Sequence, residues 1–427
     1  MTDSNGRVGH NQAVVDVRTE IEQLVGFEAR AAGTDAERRA AGHLQRRLEE
    51  LGRHADVEST RIFPSYALTH LIHALLAIVG SVVSITQPVV GLALVVAATV
   101  LALLDLMGVA FLTRRLTGAR ASQNVVSAED AGKPGTLVLT AHYDAARTGA
   151  VFNRRVVERR AALGKAIRRP IGPFEPFVWS LIALLACCVL RAIGLEGYVL
   201  TIIQFVPTVM LIVSVPLLAG IALAGVVPGA TDNASGVATV LRLAERYGDD
   251  LEHFDVWVLL PGAEESFMLG MREWLRRHRR ELDPTRTIFL NVDKVGTGTV
   301  RYTTKEGFVI AYAYHPTLVE LCEQIADEDA EERRYAARPH VSRSATDATA
   351  ARARRFPAIS ISCLNSLDYE PNQHLPTDTL ENVDHDALER AFGFCSELIE
   401  LIDERIGPDL ADVGRGDKTK LAETDGR

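Results

Sequence analysis

The chain has 427 residues and a formal net charge of −9; 47% of its residues are hydrophobic and 24% are charged. This acidic balance argues against a general nucleic-acid-binding protein, and the length allows one large domain or two small ones. Five cysteines without regular spacing fit a reducing compartment and exclude a disulfide scaffold. The first 12 residues are polar, so we expect no cleaved signal peptide.

The predicted elements alternate between strands and helices, with long apolar runs inserted among them. Short β-rich runs predict strands, and amphipathic runs that end at glycine predict helices. This alternation predicts an α/β fold, with a mixed, largely parallel sheet flanked by helices. In chain order we predict a helix at 31–51, a strand at 57–63, apolar runs at 66–85 and 89–113, strands at 123–127 and 136–140, apolar runs at 177–190 and 198–227, a helix at 235–247, a strand at 254–260, a helix at 267–280, strands at 287–292, 300–303 and 308–313, a helix at 316–330, a strand at 358–363 and a helix at 384–406.

The charged residues are distributed unevenly along the chain. Residues 65–113 contain one charged residue and residues 175–227 contain three, whereas the other 325 residues contain 97 of the 101 charges. Each apolar run of the first segment is long enough to cross a hydrocarbon core about 30 Å thick. The sequence therefore predicts two inserted transmembrane helical hairpins, in which Pro207 and Pro216 kink the last helix. The alternative is a pair of buried hairpins in the core of a soluble protein.

Basic residues flank the apolar segments on one side. Three arginines lie between 114 and 120, and seven basic residues lie between 154 and 169. Because basic loops stay in the cytoplasm, we predict four transmembrane helices with both termini and the polar domain cytoplasmic. Residues 151–169 form either an amphipathic helix on anionic lipid or a solvated helix.

Two histidines and one aspartate lie inside the first apolar segment. His70 and His73 are near the start of its first helix, and Asp105 is near the end of its second. An ionisable residue within a membrane segment is a functional candidate. Their places near helix ends nevertheless favour side chains that reach to the interface.

Acidic residues and histidines recur where the predicted strands of the polar domain end. In α/β sheets, sites form beyond the carboxyl ends of the strands. Two histidines among several carboxylates favour a divalent metal, with zinc preferred because of the imidazoles. The candidate residues are His142, Asp144, Asp232, Glu264, Glu265, Asp293 and His374.

Five ordered motifs carry a resemblance to a known family. The motifs AHYDA, GATDNASG, GAEES, NVDKVG and HLPTDTLENVD resemble those of the co-catalytic di-zinc exopeptidases. That family includes bacterial leucyl aminopeptidase, aminopeptidase Y and the glutamate carboxypeptidases. The resemblance covers roughly residues 20–64, 120–148 and 229–405, which is essentially the whole polar domain.

The resemblance implies two Zn²⁺ ions and five residues that bind them. His142 and Asp293 would bind one ion. Glu265 and His374 would bind the second ion. Asp232 would bridge the two.

The resemblance also implies two roles that do not involve direct metal binding. Asp144 would orient His142. Glu264 would act as general base on the water that bridges the two metals, taking its proton and passing it to the leaving amine.

Three positions and one segment depart from the family pattern. Thr231 stands where a second acidic residue is common, Phe267 replaces a usual glycine, and Lys294 replaces a usual apolar residue. The segment at 344–348 replaces a frequent Ser-Asp-His that helps to shape the substrate pocket. None of these changes removes a predicted metal ligand, so activity is expected, but the preferred side chain cannot be read from the sequence.

The second hairpin separates His142 from Asp232, so we expect the site to face the bilayer or to be roofed by the apolar helices. The domain organisation follows from this insertion. We predict peptidase segments at 1–64, 114–174 and 229–407, hairpins at 65–113 and 175–228, and a disordered tail at 408–427.

The sequence thus predicts a membrane-anchored zinc-dependent exopeptidase that hydrolyses peptide bonds, most simply an aminopeptidase. Its partners would be a peptide substrate, which the hairpins suggest is membrane-proximal, and the lipid bilayer, with no nucleic acid. A carboxypeptidase or another amide hydrolase could use the same site. A catalytically silent membrane scaffold is the alternative outside enzymes, and a transporter is disfavoured because the spans carry no charged pathway.

Overall fold

The computed structural model describes residues 15–410. Of the predicted tail, only 408–410 lie in this range: Gly407–Asp409 forms a 3-10 turn and Leu410 is buried. The rest of the tail and the polar N-terminal residues lie outside the described residues. One sheet organises the structure, with nine strands: β1 (Asp56–Ile62), β2 (Arg120–Ser127), β3 (Gly135–Thr140), β4 (Phe254–Leu260), β5 (Thr287–Val292), β6 (Thr299–Glu306), β7 (Tyr312–Ala313), β8 (Arg338–Ser342) and β9 (Ala358–Leu364).

The sheet is parallel in its centre and antiparallel toward its edges. Its order is β1-β2-β4-β3-β5-β9-β6-β7, with β8 paired to β6, and the central run β4-β3-β5-β9 is parallel. β1 pairs antiparallel with β2, and β2 pairs antiparallel with β4, so β1 points the same way as the central strands. The carboxyl ends of β1, β3, β4, β5 and β9 therefore meet at one edge. This confirms the predicted α/β class with a mixed sheet.

Among the described residues, eight helices lie outside the apolar bundle described below: α1 (Val17–Val25), α2 (Asp35–Glu50), α5 (Arg154–Ala166), α8 (Ser235–Tyr247), α9 (Leu269–His278), α10 (Pro316–Glu328), α11 (Asp347–Arg352) and α12 (His385–Leu401). All of them except α1 and α5 pack against the sheet, and α1 packs on α8. α8 also packs on α12, and α9 packs on α11. Helix α2 begins after Thr34, whose hydroxyl oxygen accepts a hydrogen bond from the Glu37 N–H at 3.2 Å.

Most predicted elements are present, with differences at some boundaries. The helix predicted at 267–280 begins at Leu269, because Phe267 and Met268 adopt positive φ angles that a right-handed helix excludes. Of the strand predicted at 308–313, only Tyr312–Ala313 pairs with the sheet. Helices α1 and α11 and strand β8 were not predicted, because they are short or lack a clear apolar period.

Four long apolar helices form a separate bundle: α3 (Tyr66–Val83), α4 (Pro88–Leu106), α6 (Glu175–Ala192) and α7 (Tyr198–Leu223). By length and composition, each could cross a membrane. α3 packs on α4 and α7, and α6 packs on the same two helices. Large apolar side chains such as Val89 and Phe205 point away from the bundle, 71% and 64% exposed. An outward apolar surface of this kind is what a lipid environment requires.

The two histidines and the aspartate of the first hairpin do not reach outward, so the prediction that their side chains reach to the membrane interface is wrong. α4 ends at Leu106, earlier than the predicted 113, and the chain turns back so that Arg114 meets Asp105. His70 Nε2 lies 3.3 Å from Asp105 Oδ1, and His73 Nε2 lies 2.8 Å from Thr113 Oγ1. All these side chains are buried. Arg114 gives the Asp105 carboxylate a charged partner inside the protein, so this carboxylate does not need to reach the membrane interface.

Candidate metal centre

The parallel centre of the sheet brings the predicted site residues together. His142 follows β3, Glu264 and Glu265 follow β4, and Asp293 follows β5. Asp232 lies in the turn that enters α8, and His374 lies in the loop after β9. Residues far apart in the chain therefore converge because four parallel strands end at one edge.

Two clusters of possible ligand atoms share one carboxylate. His142 Nε2 lies 3.4 Å from Asp232 Oδ1 and 3.5 Å from Asp293 Oδ1. His374 Nε2 lies 3.4 Å from Asp232 Oδ2 and 3.2 Å from Glu265 Oε2. Each Asp232 oxygen thus faces a different cluster, which is the arrangement a bridging carboxylate needs.

The chemistry of these atoms fits zinc. Nitrogen and oxygen ligands at about 2.1 Å from a tetrahedral ion are about 3.4 Å apart, which matches the distances in both clusters. His142 Nε2, both Asp232 oxygens and Asp293 Oδ1 are buried and have no hydrogen-bond partner among the described residues. Leaving buried polar atoms unpaired is costly, and metal binding would remove that cost. The donor set therefore suits one ion in each cluster.

Glu264 lies beside the first cluster. Its Oε2 is 3.8 Å from His142 Nε2, and the side chain lines the cavity described below. Burial raises the pKa of Glu264 well above its usual range, and the negative charge of Glu265 adds to this rise. Bound cations would oppose this rise, and a carboxylate beside them could then accept and return a proton.

Asp144 holds the loop that carries both glutamates. Its carboxylate accepts hydrogen bonds from the backbone N–H groups of Glu264 at 2.9 Å and Glu265 at 3.2 Å. His142 Nδ1 lies 3.2 Å from the Asp144 carbonyl oxygen and 3.5 Å from its carboxylate. The predicted contact with His142 is therefore present, and the anchoring of the glutamate loop is an additional contact that the sequence did not predict.

Asp378 plays the equivalent part for the bridging carboxylate. It accepts hydrogen bonds from the backbone N–H groups of Thr231 at 2.6 Å and Asp232 at 3.0 Å. Asp378 lies within the motif HLPTDTLENVD, so the sequence carried a signal for it that our prediction did not use.

Two further residues that position the loops were not predicted. The guanidinium of Arg30 donates to the carbonyl oxygens of Tyr143 at 2.9 Å and Gly229 at 2.7 Å. Tyr143 directly follows the predicted ligand His142, and Gly229 lies three residues before Asp232. Glu37 accepts a hydrogen bond from the Ala263 N–H at 3.0 Å. No local motif marks Arg30 or Glu37, because their partners lie more than 100 residues away along the chain.

Other ionisable groups crowd around the two clusters. Burial raises the pKa values of Asp347 and Glu370 to about 8. Lys294, one of the departures from the family pattern, forms an ion pair with Asp293. The excess of buried carboxylates over cations is a further reason to expect metal ions here.

A cavity of about 710 Å³ joins the clusters to the apolar helices. Its walls include Asp232, Glu265 and His374, and also apolar side chains from α3, α6 and α7. Basic residues of α5 and of the segment after it also line the cavity. The bundle thus covers the site, in agreement with the position of the second hairpin between two predicted ligands. The apolar and aromatic lining residues include Tyr66, Phe174, Phe177, Met210, Val213 and Ile221.

Comparison with known proteins supports the class of protein that this site defines. The profile described as Peptidase family M28 matches residues 214–399. Among curated proteins, none matches the chain significantly. The family match, which covers less than half of the chain, and the shared fold confirm the resemblance to the co-catalytic zinc exopeptidases.

Solved structures of low sequence identity share the fold. A zinc-dependent exopeptidase from Parabacteroides distasonis has a TM-score of 0.52 at 13% identity, over 92% of this chain and 100% of that one. A leucine aminopeptidase precursor from Bacteroides thetaiotaomicron has a TM-score of 0.51 at 14% identity, over 91% and 98%. A glutaminyl cyclase from Porphyromonas gingivalis has a TM-score of 0.52 at 14% identity, over 90% and 96%. The fold alone therefore does not distinguish a peptidase from a cyclase.

Proposed function

We propose that the chain is a membrane-anchored di-zinc aminopeptidase whose catalytic domain lies in the cytoplasm. The observation that carries the proposal is the pair of ligand clusters that share Asp232, one oxygen in each. Two ions in these clusters would lie close enough to act on one substrate. The family match supports zinc as the metal, and the proposal adds the count of two.

The residues divide the chemistry among themselves. His142 and Asp293 would hold one ion, Glu265 and His374 would hold the other, and Asp232 would supply one oxygen to each. When bound, the two zinc ions would polarise the scissile carbonyl group and lower the pKa of the attacking water.

Glu264 does the proton transfer in this proposal. Its carboxylate takes a proton as the water oxygen attacks the carbonyl carbon, and returns it to the amine nitrogen as the C–N bond breaks. Asp144 keeps Glu264 in place through the backbone hydrogen bond described above.

The charges beside the clusters favour an amino-terminal substrate. Glu264 and Glu370 line the cavity, and Asp347 lies near His142 and Asp293. Bound cations would lower the pKa values of these carboxyls, so that they would carry negative charge in the metal-loaded protein. A protonated α-amino group would be attracted to such a site, whereas a free carboxylate would be repelled. A carboxypeptidase on the same metal site is therefore the second candidate.

The decisive experiment combines metal analysis with hydrolysis. The full chain, purified in detergent, should contain two zinc ions and cleave aminoacyl-anilides, and Glu264→Gln should keep the zinc but lose at least about 10²-fold in kcat. Glu129→Gln is the matched control, because Glu129 is a partly buried carboxyl that bonds the Val256 N–H away from the site.

Each other outcome points to one alternative. Absence of zinc from the wild-type protein would favour a silent scaffold. Zinc binding with cleavage only at carboxyl termini would favour a carboxypeptidase. Release of ammonia from peptides that begin with glutamine, without hydrolysis, would favour a cyclase. A C-terminal reporter fusion that is active outside the cytoplasm would refute the proposed orientation.

A further inference from the structure

Helix α7 presents a continuous face to the cavity. The residues of α7 that line the cavity recur at spacings of three and four, which places them on one side of a helix. They are Met210, Val213, Ser214, Leu217, Leu218 and Ile221. From Met210 to Ile221 this face extends about 16 Å along the helix, at about 1.5 Å per residue.

This face lies within the segment that has the composition of a membrane span. α7 is long and apolar, and in the structure it is the least covered of the four candidate spans. Met210 and Val213 line the cavity and yet are 46% and 49% exposed, so the cavity is open along the helix. A face of about 16 Å corresponds to about half the thickness of a hydrocarbon core.

The same cavity also reaches the predicted ligands and several basic residues. Asp232, Glu265 and His374 line it together with the face of α7. Arg160 and Arg168 line it from the segment that precedes the second hairpin. Arginines at this level would meet anionic lipid headgroups, which places the metal centre near the membrane surface and the α7 face below it.

We propose that the substrate is a membrane-inserted peptide that enters the cavity from the bilayer beside α7. This inference rests on the proposed function and names the substrate class of the same site. The peptide terminus reaches the metal ligands while the apolar segment that follows it lies along Met210, Val213 and Leu217. Free acyl chains could fill the same groove, but they offer no peptide bond to the ligands at its end.

The test compares two peptides that differ only beyond the cleaved residue. Both carry the same N-terminal tetrapeptide; one continues into a 16-residue Leu/Ala run and the other into a Gly/Ser run of the same length. The full chain is reconstituted in phosphatidylcholine–phosphatidylglycerol vesicles. We expect kcat/KM to be at least about tenfold higher for the Leu/Ala peptide, because apolar side chains gain this much on burial.

A pair of adjacent substitutions separates binding in the groove from simple concentration of the peptide in the membrane. Val213→Trp fills the groove, and Ile212→Trp adds the same bulk on the opposite, non-lining side of α7; both residues are 49% exposed. With Val213→Trp, the ratio of the two kcat/KM values should fall close to the ratio that membrane partitioning of the two peptides alone produces. With Ile212→Trp, the wild-type ratio should be unchanged. Zinc content reports folding of both variants.

The outcomes distinguish this proposal from the one on which it rests. If the wild-type protein cleaves an aminoacyl-anilide but shows equal kcat/KM for both peptides, or if the two tryptophan variants behave alike, the membrane-inserted substrate is overturned and the peptidase stands. If the wild-type protein cleaves neither the anilide nor the peptides, the proposed function itself fails.

Discussion

Arg114 Nη1 donates a hydrogen bond to the carbonyl oxygen of Ser266 at 2.8 Å. The Arg114 guanidinium also bonds both oxygens of Asp105 at 2.8 Å and lies 4.7 Å from the centre of the Phe267 ring. Ser266 directly follows Glu264 and Glu265, so the end of the first apolar hairpin holds the loop that carries the proposed base and a proposed ligand. The apolar bundle and the candidate metal centre are thus connected through Arg114, which also forms the buried ion pair with Asp105.

Asp105→Asn should destabilise the protein strongly, because it leaves the Arg114 charge buried without a full counter-charge. We expect a loss of about 3–5 kcal/mol in the free energy of unfolding, measured by denaturant titration in detergent. Asp35→Asn is the control: it breaks an exposed pair with Arg38, which should be worth less than about 1 kcal/mol. Equal effects of the two changes would contradict a structural role for the buried pair.

A double variant separates the stability of this pair from its effect on the site. Replacing both Asp105 and Arg114 by leucine and methionine removes two buried charges together, so most of the stability should return. The kcat of the double variant should nevertheless be lower than that of the wild type, because the Ser266 carbonyl oxygen has lost its donor. A wild-type kcat in the double variant would show that Arg114 does not position the glutamate loop.

Asp144→Asn should weaken zinc binding by about 10–100-fold, because a carboxylate that bonds two backbone N–H groups is replaced by an amide that offers one acceptor oxygen. The measurement is competition for zinc with a chromogenic chelator. Asp255→Asn is the matched control, since Asp255 also accepts from two backbone N–H groups, those of Ala131 and Lys133, away from the site. If both variants bind zinc like the wild type, Asp144 does not orient the ligands.

The stability that zinc confers should increase with pH. In the metal-free protein, burial raises the pKa values of Asp347 and Glu370 to about 8, so each contributes stability that is fully present below its ordinary pKa and is lost as the pH rises through about 8. Bound zinc compensates the negative charge, and its ligands bind only when deprotonated. The difference in Tm between zinc-loaded and chelator-treated protein should therefore grow from pH 5.5 to pH 8.

Glu370→Gln provides the control for this pH effect. The amide cannot ionise, so the metal-free variant should lose less Tm than the wild type over the same pH interval. A wild-type difference in Tm that stays constant or decreases with pH would contradict the raised pKa values.

Lys294→Met should tighten zinc binding. The Lys294 ammonium pairs with Asp293 and places a positive charge beside the proposed cations. Removing that repulsion should increase zinc affinity by at least about tenfold at an effective dielectric constant near 20. Lys294→Arg keeps the charge and should bind zinc like the wild type. Weaker binding by Lys294→Met would show that the lysine instead supports the ligand geometry of Asp293.

Much of the candidate site could be predicted because its signals are local. Four of the predicted ligands lie just after a strand or just before a helix, each within a short motif: His142, Asp232, Glu265 and Asp293. Parallel strands then bring such ends together without further information. Whether these residues bind two zinc ions stays a prediction that the metal analysis tests.

The residues that hold the loops could not be predicted in the same way. Arg30 bonds carbonyl oxygens at Tyr143 and Gly229, and its own neighbours in the sequence give no sign of either. Such contacts join segments more than 100 residues apart. Their partners are backbone groups, which every residue has, so the sequence carries no pattern for them.

The sequence by itself determined the class of fold, the strand ends that carry the ligands and the four apolar runs, because each depends on the periodicity or composition of neighbouring residues. Only the tertiary structure decided that Asp105 is paired inside the protein and that α7 shares a cavity with the metal centre. A carboxylate in an apolar helix can reach toward water or bind a buried cation. The choice depends on whether a group such as Arg114 comes within hydrogen-bond distance, and that distance is set by the packing of the whole chain.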